Sequence, residues 1–302
     1  MIPRRSRTHR TPNGKTIALT PRDLAIFTAL AEYRYLRSTY LHAIAGGKSA
    51  TRFIERLGDL FHQSFIGRPE KQWDFAQARH QPVVHELGPG ARCALGEAGQ
   101  QILPRTYLSA TAHRQFGHAV MICESVASIE LAVRARSDLR FIPWAEILQR
   151  APAATRASPA PFRIPLGDTA LIPDALFGLE YRTGAGKSYR FFALEIDRGT
   201  MPVHRTDAAQ TSYLAKLAAY QSLVERRLHK QHWGISSLFV LTITTGPERV
   251  ANMLRGAMKQ NVGPLFLFKA ATPETLVTPM CGLLSEPWER AALPALAIGE
   301  SG

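Results

Sequence analysis

Apolar residues recur at helical spacing at Leu24, Ile26, Phe27, Leu30 and Ala31, directly behind Leu19-Thr20-Pro21-Arg22-Asp23. Thr20 can cap, Pro21 suits the first helical position and Asp23 places an acid at the positive end of the dipole, so a helix starts here and its buried stripe ends before Arg34. A second short helix covers about Ser38 to Ile44 and is closed by Gly46-Gly47. Ser49 caps a third, with Phe53, Ile54, Leu57, Leu60 and Phe61 as its inward face and Lys48, Arg52 and Arg56 at its start or outward. Gly67-Arg68-Pro69-Glu70-Lys71 then reads as a turn, Pro82 to Leu87 as a short alternating strand, and Ala91 to Leu103 as a closing helix.

Three short helices, the third basic on its outer side, followed by a turn and strand, describe a winged helix-turn-helix. With the basic tail it occupies residues 1–110. Lys48, Ser49, Arg52, Arg56 and Arg68 are its candidate contacts to double-stranded DNA, through phosphates or guanine edges. Winged helices also bind proteins, so the fold alone does not fix the partner.

Residues 111–136 form the next helical pattern. Phe116, Val120, Cys123, Ala127 and Leu131 share a face, with Glu130 within it and Glu124 on its edge. An acid on an apolar face is costly unless something pairs with it. Residues 150–165 are rich in Pro and Ala and read as an irregular surface connection. Ile172 to Tyr181 then reads as a strand, Thr183-Gly184-Ala185-Gly186 as a turn and Tyr189 to Asp197 as the returning strand. A helix from about Asp207 to His229, a strand at Leu238 to Ile243, a helix from Pro247 to about Gln260 and a strand at Leu265 to Phe268 complete an α/β domain over 111–302.

The hairpin carries the chemistry. A turn centred on 183–186 pairs residues whose numbers sum to 369, which sets Asp174 opposite Glu195. Asp197, two residues on, projects from the same face as Glu195. Three carboxylates on one face repel one another unless a cation lies between them. Oxygen ligands so arranged suit Mg²⁺ or Mn²⁺, so Asp174, Glu195 and Asp197 are the candidate metal ligands. On the following helix Lys216 and Tyr220 lie one turn apart. A lysine beside the metal could activate water or steady a phosphoryl group, and Tyr220 is the nearest candidate should a tyrosine nucleophile be used.

Composition narrows the partners. The chain has 302 residues with a formal net charge of +13, and residues 1–60 hold eleven Lys/Arg against four Asp/Glu, a net of +7. Such a concentration attracts a polyanion. No apolar run approaches the ~20 residues that span a bilayer, so the expected location is the cytoplasm, with no membrane partner. Cys93, Cys123 and Cys281 show no metal-ligand spacing and read as buried thiols. Gly184-Ala185-Gly186-Lys187-Ser188 resembles the end of a phosphate loop, but Tyr181 stands where the earlier glycine belongs, and a hairpin turn explains it better. His229 and His232 read as the end of a solvated helix rather than as a metal pair.

Asp174 after Pro173, the Glu195-Ile196-Asp197 triplet and Lys216 on the next helix resemble the PD-(D/E)xK nucleases with the lysine moved onto a helix. Together with the winged-helix start, residues 18–268 resemble the replication-relaxation family, which includes MobC-type plasmid relaxases. The resemblance implies a restriction-endonuclease-like domain. It further implies Glu124 or Glu130 as the acid of the first helix, Asp174 and Glu195 as metal ligands and Lys216 as the catalytic lysine. Asp197 departs from the pattern, which expects lysine there. The expected activity is Mg²⁺- or Mn²⁺-dependent DNA cleavage or nicking in plasmid mobilisation or replication. The alternative is a non-catalytic DNA-binding regulator or replication accessory factor. A homodimer or other replication and mobilisation proteins are the further partners.

Overall fold

The first helix begins where its capping residues dictate. In the computed structural model, which describes residues 6–11, 16–74, 79–99, 116–167, 169–184, 186–198, 213–260 and 263–301, α1 is Pro21–Tyr33. Thr20 Oγ1 accepts the Asp23 N–H at 3.3 Å and the Asp23 carboxylate accepts the Thr20 N–H at 2.8 Å, a reciprocal capping box. Then come β1 (Leu36–Arg37), α2 (Ser38–Ala45), α3 (Ala50–His62), β2 (Ile66–Gly67), β3 (Val84–Leu87) and α4 (Pro89–Glu97). β3 lies between β1 and β2 in a three-stranded antiparallel sheet. Ile26, Phe27, Leu30, Leu41, Leu57, Leu60 and Leu95 are buried and form the centre of this part.

α5 (Phe116–Arg134) follows, then β4 (Leu139–Ile142), α6 (Trp144–Arg150), α7 (Ala153–Arg156), the paired short strands β5 (Ile164–Leu166) and β6 (Thr169–Leu171), and the hairpin β7 (Ala175–Thr183) and β8 (Gly186–Asp197). After it come α8 (Tyr213–Glu225), α9 (Leu228–Trp233), β9 (Phe239–Thr244), α10 (Pro247–Lys259), β10 (Phe266–Ala270), α11 (Gly282–Ser285), β11 (Trp288–Arg290) and β12 (Leu293–Leu296). The main sheet has seven strands in the order β12-β11-β10-β9-β8-β7-β4. β8, β9 and β10 run parallel and the remaining pairs antiparallel, so this is a mixed α/β sheet. Ala193, Val240, Phe266 and Phe268 pack beneath Leu214, Leu217, Tyr220, Val250 and Met253 of α8 and α10 in one apolar cluster.

Two compact units result. One comprises the described parts of Met1–Pro104 and His113–Ala127 with Leu276–Pro279; the other comprises those of Ser128–Thr275 and Met280–Gly302. α5 is therefore shared between them. The boundary expected at residue 110 lies outside the described residues, as do the starts of the helices expected at residues 111 and 207; the helix expected over Ala91 to Leu103 is α4, which starts at Pro89 and ends at Glu97.

Several expectations are corrected. Ile54 is 58% exposed on the outer face of α3 instead of buried. Residues 150–165 are not a bare surface connection, because they hold α7 and β5 and bury Phe162 and Ile164. Only Cys123 among the three thiols is buried; Cys93 and Cys281 are exposed. α5 is long and apolar enough to cross a bilayer, which the sequence reading did not expect, although 72% of that apolar window is buried inside the structure.

Arg56 is the largest correction in the first unit. Its Nε and Nη2 donate to the two Asp23 oxygens at 3.0 and 2.6 Å, and Nη2 also reaches the Ala18 carbonyl at 2.8 Å. It clamps α3 to the capped start of α1 rather than facing outward. Burial opposes ionisation of Asp23, which is only 1% exposed, but Arg56 and Thr20 hold its pKa below the usual value. Arg56→Ala should destabilise this unit by about 1–3 kcal/mol, because Asp23 keeps its burial and loses its cation. A depressed carboxylate contributes stability above its unfolded pKa, about pH 4, and loses it as pH falls through the folded value. Urea unfolding should therefore show the difference between the wild type and Arg56→Ala at pH 7, and show it shrinking below pH 4.

Candidate functional site

Side chains alternate along a strand, so Phe191, Ala193, Glu195 and Asp197 of β8 share one face, the face that α8 and α10 cover. The hairpin register runs from Ala175↔Leu194 to Thr183↔Gly186, every pair summing to 369 as the turn position requires. Asp174 sits one residue before β7. Its N–H donates to the Leu194 carbonyl at 3.1 Å, and its Oδ2 accepts the Ile196 N–H at 2.8 Å. The Asp174 carboxylate is thus fastened to the backbone of β8 beside Glu195. The same pairing confirms a hairpin turn around Gly184 rather than a phosphate loop.

Glu195 is 4% exposed. Lys216 Nζ donates to its Oε2 and the Tyr220 hydroxyl to its Oε1, from adjacent turns of α8. Burial pushes the Glu195 carboxyl up to about 7; Lys216 pulls it down and Asp174 adds a like-charge push upward. Burial works against the Lys216 ammonium, yet Glu195 and Asp174 hold its pKa above the usual lysine value. Tyr220 is fully buried, and burial followed by the Glu195 charge raises its pKa well above that of an ordinary tyrosine. Its hydroxyl keeps its proton on Glu195, so it supports the carboxylate and is poorly suited to attack phosphorus.

Asp197 lies on the same face with a different partner. Arg249, from the first turns of α10, donates through Nε to Oδ2 and through Nη2 to Oδ1 at 2.9 Å, and Thr244 Oγ1 adds a bond of 2.8 Å. The positive charge expected from a metal at Asp197 is supplied by Arg249. Among the described residues no group of three or more His, Cys, Asp or Glu is arranged to hold a metal ion. Nearby, the Tyr213 hydroxyl and Thr242 Oγ1 are 2.6 Å apart. The sequence reading passed over Tyr213, Thr242, Thr244 and Arg249. Threonines at alternate positions of an otherwise apolar strand were the available signal, whereas nothing local marks Arg249.

The acids of α5 are paired elsewhere. Glu124 is fully buried, accepts from Arg37 Nη1 and the Arg37 N–H, and is pushed up to about 8 by burial against the pull of Arg37. Glu130 pairs with Arg134 one turn on, at 2.5 Å. On the proposed DNA face Lys48, Ser49 and Arg52 are exposed, and Ser49 Oγ caps α3 by accepting the Arg52 N–H at 3.3 Å. Arg68 lies over the Phe61 ring at 4.1 Å and donates to the Arg7 carbonyl at 2.9 Å, which binds it to its own unit. His229 is buried and His232 bonds to the Pro161 carbonyl at 2.9 Å, so neither ends a solvated helix.

These features define an α/β protein with a buried carboxylate paired to a half-buried lysine at the C-terminal ends of its parallel strands. The chain belongs to the replication-relaxation family, whose model matches residues 27–238, and membership points to a role in plasmid replication or mobilisation. No curated protein and no solved structure gave a significant match.

A raised carboxyl pKa has a definite sign in stability. The folded state holds the Glu195 proton more tightly than the unfolded chain, so this contribution is complete below about pH 4.5 and is lost as pH rises through about 7. Glu195→Gln should remove it, on the order of 3 kcal/mol across that window. Unfolding free energies from pH 5 to 8 should fall less steeply for the variant than for the wild type; parallel curves would mean that Glu195 titrates normally.

Proposed function

We propose that the protein binds double-stranded DNA through a winged helix-turn-helix formed by α1 to β3 and cleaves or nicks it at a divalent-metal site built on Asp174, Glu195 and Lys216. The observation that carries the reading is the hairpin register, which brings Asp174 to Glu195 directly beneath Lys216. Two carboxylates that repel one another suit a divalent cation, and Mg²⁺ commonly takes only one or two protein carboxylates and leaves its other positions to water and phosphate. When bound, such an ion supplies Lewis acidity and a lowered pKa for water.

The chain's own residues supply the rest. Asp174 is held by the Ile196 N–H, and Tyr220 fixes one Glu195 oxygen, so both ligands are oriented beforehand. Lys216, on a flexible stem, is the group able to leave Glu195 Oε2 and neutralise charge on a phosphoryl oxygen. Lys48, just before α3, and Arg52, on its first turn, serve as the phosphate contacts; Arg56 and Arg68 are engaged in bonds within their own unit and are the weaker candidates.

A second reading is favoured by one observation. Lys216 and Tyr220 occupy both Glu195 oxygens while Arg249 neutralises Asp197, so the face is already compensated without metal. In that case the protein is a non-catalytic DNA-binding replication factor.

Supercoiled and linear DNA incubated with the protein in Mg²⁺, Mn²⁺ or EDTA separates the two. Asp174→Asn and Glu195→Gln should each abolish metal-dependent cleavage and leave DNA binding nearly intact. Calorimetric Mn²⁺ binding should be tighter at pH 8 than at pH 6, because Glu195 must give up a proton held up to about pH 7. If the wild type neither binds Mn²⁺ nor cuts any DNA form, the second reading stands. Independently, Lys48→Ala with Arg52→Ala should lower the salt slope of DNA binding by about 2, one for each phosphate left without its cation. An unchanged slope would move the DNA surface off α3.

A further inference from the structure

The carboxylates stand at the C-terminal ends of β8 and β9. At the other ends of the parallel strands lies a cavity of about 580 Å³, bounded by Leu238 and Phe239 at the start of β9 and by Leu265 just before β10. Arg190 of β8, two residues before the partner of Phe239, forms part of its wall. Five residues along β8 separate Arg190 from Glu195, or roughly 17 Å at strand rise, so this is not the site described above.

Its chemistry is one-sided. Arg190, Arg227, Lys230 and Arg290 line it, and among the described lining residues none is acidic. These cations come from β8, from α9 with the residue before it, and from β11, so they approach the space from three elements. Arg190 is held in place, its two Nη atoms donating to the Glu300 and Ser301 carbonyls at 2.9 and 2.6 Å and its guanidinium lying over Tyr181 at 5.2 Å. Two lining groups carry buried atoms with no hydrogen-bond partner among the described residues: Ser237 Oγ and Arg290 Nε. Buried polar groups are almost always satisfied, so two orphans beside one cluster of cations point to a ligand.

We infer that this cavity is a binding site for a phosphate-bearing ligand, the phosphate held by Arg227, Lys230, Arg290 and Ser237 and a base set against Phe239 and Leu265. Cations arriving from three elements suit a tetrahedral, multiply charged phosphate better than a flat monovalent carboxylate, and the volume is ordinary for a small organic ligand. A nucleic-acid strand and a free nucleotide offer the same chemistry.

The test is calorimetry on the full chain in EDTA with inorganic phosphate, a deoxynucleoside monophosphate and a short single-stranded oligonucleotide as probes. The Lys48→Ala, Arg52→Ala background removes the α3 face. Arg227 has φ 56°, a conformation that asparagine tolerates, so Arg227→Asn with Lys230→Gln removes two exposed cations at little structural cost. These changes should weaken the monophosphate at least tenfold and reduce its salt dependence; Ser237→Ala should weaken it less. Tighter binding of the oligonucleotide marks a strand as the source and tighter binding of the monophosphate marks a free nucleotide, and either result supports the site. Absence of binding by the wild type, or affinities unchanged in the variants with unaltered melting temperatures, would overturn it.

Discussion

A carboxylate taken out of water has to be neutralised where it stands, and the buried acids of this chain organise the structure around that requirement. Glu124 meets it with Arg37 and Asp197 with Arg249. Glu180 meets it with Arg182, Arg140 and Lys187, and Arg182 and Arg140 hold its carboxyl down at about 2 against its burial. In each case one or more arginines fit a buried carboxylate. Glu195 is treated differently, because its partners are a lysine and a tyrosine and a second carboxylate is fastened beside it. Arginine stays charged under all ordinary conditions, whereas a lysine on a flexible stem can exchange its partner. Of these acids, Glu195 is the one whose surroundings can be rearranged without leaving an immovable cation behind.

That difference follows from the sheet. The C-terminal ends of parallel strands leave side chains at the sheet edge with only the covering helices to close over them, which is why open α/β sheets place their ligands there. Thr242 and Thr244 continue the polar edge onto β9, while Ala193 and Val240 deeper on the same face are purely apolar and carry α8. The change from apolar to polar along one strand face sets the depth at which Lys216 and Tyr220 meet Glu195.

The local parts of this arrangement could be read from the sequence. The capping box at Thr20 and Asp23 depends on residues three apart, and the hairpin register depends only on where the turn falls, so both were recoverable without tertiary information. Several side-chain directions decided by a distant partner were not recoverable in the same way. Arg56 and Arg68 have the composition of DNA contacts, yet Asp23 and Phe61, 33 and 7 positions away, determine where they point. Ile54 belongs to the apolar pattern of α3, but its neighbours Phe53 and Leu57 already fill the inward direction, which leaves it outside. The Pro/Ala-rich stretch 150–165 suggested a surface path because its breakers are local, whereas Phe162 and Ile164 are buried by packing across the sheet. Family membership was legible from the combination of the two halves, since the motifs in either half are short.

Asp197 is the point where this chain leaves the nuclease pattern that its sequence resembles, and the geometry explains how the departure is tolerated. A lysine at 197 would project beside Glu195 from the same strand face. Here the strand offers a third acid, and the positive charge arrives from the helices instead, Lys216 from α8 and Arg249 from α10. The two cations are not equivalent. Arg249 is committed to Asp197 through two bonds and a supporting threonine, which removes that acid from the repulsion and leaves Asp174 and Glu195 as the pair still in conflict. Among the described residues, Lys216 is the cation that bonds to this pair. Whether this face acts on phosphate or only holds the helix in place therefore turns on one exchange at Glu195 Oε2, in which lysine must be the weaker holder of the site.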